Sequence, residues 1–215
     1  QHHYFIGSEL AKRGVRLASL APRFIGDFQK GIDYIGDPAE FESHLRAHCD
    51  IAKHNGNYRI SVHSGSDKFS VFPIIGRLTD LRFHLKTAGT SWLEALRVIA
   101  RCEPQLFRQL FLCARNGYHE ALKLYHITAD FSKVPPLDGL EDGELPRYLE
   151  LDESRQLLHI SYGTILNDRE LGPRFFAALH RHGEAYAQTV CEHFTHHFEA
   201  LGIPSRSDDA GSGAL

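Results

Sequence analysis

Four histidines recur in one local setting. In Arg59-Ile-Ser-Val-His63 an alternating apolar and polar run ends on an imidazole and passes into Ser64-Gly65-Ser66-Asp67-Lys68. The pattern returns in Arg82-Phe-His84-Leu-Lys86, followed by Thr87-Ala-Gly-Thr-Ser91. It returns again in Lys123-Leu-Tyr-His126-Ile-Thr-Ala-Asp130 and in Leu157-Leu-His159-Ile-Ser-Tyr-Gly163. Period-2 alternation puts Ile60 and Val62 on one side, Ser61 and His63 on the other. Each run reads as a strand with a histidine near its C-terminal end and polar residues beyond. A single such histidine is more often a hydrogen-bonded core residue; four in the same setting favour a site. Neutral imidazoles beside carboxylates, with open positions, suit a divalent ion such as Zn, Mn, Ni or Co. His63, His84, His126 and His159 are therefore the expected metal ligands. His63 and His126 lead, because alternate strands of a barrel share one side-chain layer. The same rim carries Lys30, Lys68 and Lys86 with Asp27, Asp33, Asp67 and Asp130. A lysine aimed into a rim is costly to bury unpaired, so each marks an anionic ligand or an ion pair. No Gly-x-Gly-x-x-Gly fingerprint is present, and no nucleotide cofactor is expected.

The elements that must position these residues alternate along the chain. Gly14 to Pro22 reads as a strand centred on Val15 to Ala21, and residues 23–37 as a polar, glycine-rich loop of the kind that carries function. Pro38 opens an amphipathic helix that Asn55-Gly56 ends. Ser91 and Glu94 make a capping box for the next helix, which Pro104 should kink or split and Asn116-Gly117 should stop. Residues 130–150 read as an irregular excursion. Residues 173–201 read as one long helix with Phe175, Phe176, Leu179, Tyr186, Val190, Phe194 and Phe198 buried, leaving His180, His182, His193, His196 and His197 in solvent. Residues 205–215 read as a disordered tail. Five strands alternating with helices predict an α/β fold with a parallel sheet. The expected form is a (β/α)8 barrel of the TIM type, with residues 1–204 its C-terminal five strand–helix units.

The bulk numbers narrow the partners. The chain has 215 residues, 42% of them hydrophobic, and a formal net charge of −3, which gives no electrostatic case for nucleic acid or an anionic membrane. No apolar run approaches the roughly 20 residues of a membrane span. No secretory signal is apparent, and the four cysteines, with no CxxC pair, read as reduced thiols. A cytoplasmic location is expected.

Three motifs in order carry a resemblance: residues 23–37 (RFIGDFQKGIDYIGD), Val62-His-Ser-Gly-Ser-Asp-Lys-Phe69 and His84-Leu-Lys-Thr-Ala-Gly-Thr-Ser91. Together they resemble the tagaturonate epimerase family, whose proteins are longer on the N-terminal side. The resemblance implies a metal-dependent enzyme of hexuronate catabolism that interconverts tagaturonate and fructuronate; related members act on neutral ketohexoses. Asp27 stands where the family motif carries Glu. On this reading Asp27, Lys30, Asp33, Asp67 and Lys86 are catalytic candidates. Arg23, Gln29, Ser64, Ser66, Lys68, Thr87 and Ser91 are substrate-binding candidates, with Lys86 and Lys68 holding the sugar-acid carboxylate. The inverted carbon lies β to the ketone, so enolisation cannot invert it; retro-aldol cleavage with a metal stabilising the fragment can. A metal-dependent sugar aldolase or isomerase would use the same rim, as would a non-catalytic barrel fragment that binds a sugar acid.

Overall fold

Three short parallel strands stand side by side in the order β1 (Ser19–Leu20), β2 (Arg59–Val62), β3 (Phe83–Leu85). The register pairs Ser19 with Arg59 and Ser61 with His84. The expected alternation holds only in part on β2. Ile60 and Val62 are buried in a core with Phe41, Leu45, Phe72 and Ile75, but Ser61 between them is buried too, against His84 of the paired strand, while His84 and, just past β2, His63 are exposed. The computed structural model describes residues 1–87, 89–125 and 127–204, so the tail at 205–215 and His126 lie outside the described residues.

Helices make up most of the remainder. α1 (His2–Lys12) packs on α2 (Pro38–His54), and α3 (Phe72–Thr79) connects β2 to β3. Asp37 starts α2: its Oδ1 accepts from Ala39 N at 2.8 Å, and Pro38 occupies a first-turn position that needs no donor. α4 (Thr90–Cys102) and α5 (Pro104–Ala121) are separate helices, because Pro104 has no N–H to continue the ladder. Two 3₁₀ segments (Phe131–Lys133, Asp142–Leu149) precede α6 (Asp152–Ile160), α7 (Tyr162–Asn167), α8 (Leu171–Arg181) and α9 (Gly183–Ala200). A second core, with Leu96, Phe107, Phe111, Leu145 and Leu158, joins α4 to α8.

Several expectations are corrected. The fold is mixed α/β and mostly helical, with three strands among the described residues rather than five. The segment expected as the fourth strand is α6 running into α7. Leu157-Leu158-His159-Ile160 is a short apolar run that periodicity alone cannot assign, and Asp152 and Glu153 in the first turn favour a helix. Lys123 and Leu124 form the turn after α5, and the described residues of 123–130 contain no strand. Asn116-Gly117 does not stop α5: Gly117 faces Thr164 of α7 so closely that a side chain there would collide. The capping box does not form either. Gly89 is the N-cap, and Glu94 instead pairs with Arg97 at 3.0 Å. The long last helix is broken at His182, where Arg181 and His182 both turn to Glu103. Phe176 and Phe198, expected in its buried stripe, are exposed, whereas His197 is buried.

Gly76 of α3 is where that last helix ends against the first core. A methyl at this position would run into the Leu201 carbonyl. Backbone cannot yield as a side-chain tip can, so Gly76→Ala is expected to destabilise the chain by about 2–3 kcal/mol in urea unfolding. An unchanged midpoint would show that α9 is not seated on α3.

Candidate active site

The β2–β3 pair continues past both strands: Lys86 N donates to Val62 O at 2.9 Å, and Gly65 N to Lys86 O at 3.0 Å. This carries His63, Ser64, Lys86 and Thr87 to one end of the sheet, the carboxyl end. Loop 23–37 closes over the same end. It is folded back on itself by an antiparallel bridge between Asp27 and Ile35. Lys30 of this loop is half-buried, and its pKa is lowered first by burial and then by the neighbouring Lys86 charge. Two ammonium groups are thus held near one another beside exposed imidazoles. On β3, His84 Nδ1 lies 2.9 Å from Ser61 Oγ of the paired strand.

The sequence-predicted residues separate into two layers. Arg23, His63, His84, Lys86 and Ser91 are exposed, and Asp27, Lys30, Ser64 and Thr87 are half-buried. Beneath them the others are already spent on protein partners. Gln29 is buried, expected to touch substrate but engaged throughout. Its Nε2 donates to Asp27 Oδ2 (2.7 Å) and Thr128 Oγ1 (2.9 Å), and its Oε1 accepts from Thr128 N (3.0 Å) and Gln156 Nε2 (2.8 Å). Asp33, a catalytic candidate, accepts from Tyr34 N (2.6 Å), Ser70 N (3.0 Å) and Ser70 Oγ (2.9 Å), tying loop 23–37 to the β2–α3 loop. Ser66 is buried and accepts from Thr90 Oγ1 at 2.8 Å. Lys68, the expected carboxylate holder, has no exposed surface. Its Nζ donates to the carbonyls of Gln29 (3.0 Å), Ser66 (2.9 Å) and Ile32. Its expected contact with substrate is corrected to a tie between loops, since an ammonium without a ligand is buried only where carbonyls satisfy it. Burial lowers its pKa to about 8, against the opposing charges of Asp67 and Asp33.

His159 is not a strand-end histidine. It is buried on α6 with its ring against Gly89, whose φ of 81° and missing side chain leave the room. His126 lies outside the described residues. The sequence reading missed the residues that surround Asp67. Asp67 is buried at a left-handed φ of 59°, with Oδ1 2.9 Å from His193 Nε2 and Oδ2 3.1 Å from Arg155. Its main-chain N–H donates to His197 Nε2 at 3.1 Å, and His193 Nδ1 lies 3.6 Å from Glu94. Burial would raise the Asp67 carboxyl, but the His193 hydrogen bond and the Arg155 charge outweigh it and hold it at about 2. Asp67, His193 and His197 are also the described group that could hold a metal ion, their donor atoms lying within 4.8 Å of one another. The i, i+4 spacing of His193 and His197 was the available signal, since it places both on one helix face.

The comparisons agree with one another. The model of the tagaturonate epimerase family matches residues 1–201. A tagaturonate/fructuronate epimerase of Thermotoga maritima is 46% identical over 199 residues, covering 93% of this chain and 41% of that protein. The native crystal structure of the fructuronate-tagaturonate epimerase of Cohnella laeviribosi superposes with a TM-score of 0.91 at 45% identity, over 93% of this chain and 42% of that one. A two-glycerol complex of the same enzyme gives 0.92 at 44% identity. The chain therefore spans about two fifths of the length of these relatives, and it belongs to the tagaturonate epimerase family.

Proposed function

We propose that this chain supplies part of the active site of an epimerase that interconverts tagaturonate and fructuronate. The observation that carries the reading is the gathering of His63, His84, Lys86 and the half-buried Lys30 of loop 23–37 at the carboxyl end of a parallel sheet. Ligands of parallel α/β folds bind at that end, including in (β/α)8 barrels, the architecture expected from the alternation of strands and helices. Two ammonium groups that repel when empty gain most from a carboxylate placed between them. Lys30 thus takes the place first given to Lys68 as the partner of Lys86. Asp27, oriented by Gln29, is the rim carboxylate placed to take the hydroxyl proton that starts retro-aldol cleavage. Re-closure on the other face of the aldehyde then inverts the carbon β to the ketone. The keto sugar acid is the small-molecule partner.

Two donor sets compare differently as holders of a divalent ion. His197 has both ring nitrogens engaged: Nδ1 donates to His193 O at 2.9 Å, and Nε2 accepts from Asp67 N. The Arg155 charge also stands at Asp67. The strand-end set fits better. In the tautomer whose Nδ1–H donates to Ser61, the exposed His84 ring keeps its Nε2 lone pair, the arrangement that metal-ligating histidines commonly receive from a second partner. His63 and His84 would then hold the ion, which when bound supplies Lewis-acid stabilisation of developing oxygen charge.

Elemental analysis of the purified protein and a screen of keto sugar acids against neutral ketohexoses test the reading. His84→Ala is expected to lower metal affinity by at least 10–100-fold, while His193→Ala leaves it unchanged. The reverse pattern moves the ion to Asp67. Lys86→Met keeps the apolar stem and removes the charge. It is expected to cut turnover of uronates about 10–100-fold and that of neutral ketohexoses much less. Equal losses on both would mean that Lys86 serves the fold.

A further inference from the structure

Among the described residues, the position of Lys30 over the carboxyl end of the sheet is set by the backbone around it. The carbonyl before it, Gln29 O, accepts from Lys68 Nζ at 3.0 Å. The carbonyl after it, Gly31 O, accepts from Arg155 Nε at 2.6 Å, and Ile32 O accepts from Lys68 Nζ. Gly31 lies so close to α6 that a side chain there would press on the Arg155 carbonyl, and its φ is +76°. Two buried cations thus grip three carbonyls flanking one lysine. They are gripped in turn. Arg155 pairs with Asp67, and Lys68 follows Asp67 in the chain. Asp67 occupies a left-handed conformation that costs a non-glycine residue about 1 kcal/mol or more, so something must hold it there. α9 does so, through His197 Nε2 on the Asp67 main chain and His193 Nε2 beside its carboxylate.

We propose that Lys68 and Arg155, anchored through Asp67 to His193 and His197, are positioning residues that aim Lys30 over the carboxyl end of the sheet. The purpose assigned to that aim, receiving a substrate carboxylate, rests on the epimerase reading; the aim itself does not. In loop 23–37 both cations reach backbone rather than side chains, so the device fixes where Lys30 starts without touching its ammonium. It also gives the polar inner face of α9 a role. The face a helix turns inward is usually an apolar stripe, yet here it carries His193 and His197.

The test reads the Lys30 ammonium directly and contains no substrate, so an inactive chain leaves it intact. Lysines are reductively methylated with ¹³C-formaldehyde, Lys30 is assigned through Lys30→Arg, and each signal is titrated by NMR. Lys30 of the wild type should titrate below the ordinary lysine value, as its burial requires. In Arg155→Gln it should move up towards that value while helix content is kept. His193→Gln, which preserves a hydrogen-bond donor to Asp67, should shift it less than His193→Ala. A Lys30 signal that stays put in folded Arg155→Gln overturns the proposal. Where that variant does not fold, wild-type ¹⁵N relaxation decides: residues 29–33 should be as rigid as α6, with order parameters of about 0.85, and values below about 0.6 overturn it. Stoichiometric zinc in the wild type that is lost in His193→Gln also overturns it, because the anchors would then be metal ligands.

Discussion

Lys68→Met is expected to destabilise the chain by about 3 kcal/mol in urea unfolding. Methionine approximates the lysine stem, so the change leaves little cavity and acts through polarity. Three carbonyls, those of Gln29, Ile32 and Ser66, lose their donor in a site with no exposed surface. Each buried acceptor left unmade costs about 1–3 kcal/mol. Against this stands relief from burying an ammonium whose pKa is lowered to about 8, a shift worth about 3 kcal/mol. The carbonyl losses exceed that relief. The two contributions separate with pH. A lysine whose folded pKa is depressed penalises the folded state while it stays charged below about pH 8, and the penalty fades as pH rises towards the ordinary lysine value. Wild-type stability should therefore rise between about pH 8 and 10, and the Met variant should lack that rise. A variant with normal stability and a selective loss of sugar-acid affinity would return Lys68 to the substrate site.

Legibility from sequence followed the physics of each signal. The β2 and β3 strands, the parallel order β1-β2-β3 and the exposure of His63 and His84 were readable, because few arrangements besides a strand produce period-2 alternation of β-branched and polar residues. The family motifs were readable for the same reason: polar clusters at fixed positions after strands. What failed were signals with two readings. Leu157-Leu158-His159-Ile160 fits a buried helix as well as a buried strand. Asn116-Gly117 could stop a helix or let two helices approach, and Thr164 decides which. Lys68 and Lys86 look alike in sequence, yet one is wholly buried and the other exposed, because burial depends on where loop 23–37 folds back. The partnership of Asp67 with His193 and His197 spans more than 120 positions, a separation that no local pattern records.

Acid should unfold the chain in two stages, the first set by histidines rather than carboxylates. His48 of α2 is buried, with its Nδ1 2.7 Å from His3 Nδ1 of α1. One proton serves that contact, so the pair is satisfied only while at least one ring is neutral. Tyr58 OH lies 2.9 Å from His3 Nε2, and the His44 ring packs edge-on at 4.5 Å. Burial first, then the His3 and His44 charges, lower the His48 pKa to about 4. The unfolded chain takes up this proton near pH 6.5 and the folded chain does not, so stability falls as pH drops from about 6.5 to 4. The shift corresponds to about 3 kcal/mol. His3 and His197, both lowered by burial, act in the same direction. Asp67 acts later: its carboxyl is held at about 2, so its contribution is lost only below about pH 4. Urea midpoints measured from pH 8 to 4 should decline, and His48→Gln, which cannot be protonated, should flatten the upper part of that decline. A wild-type curve level between pH 7 and 5 would mean that His3 and His48 are open to water and that α1 does not seal the end of α2.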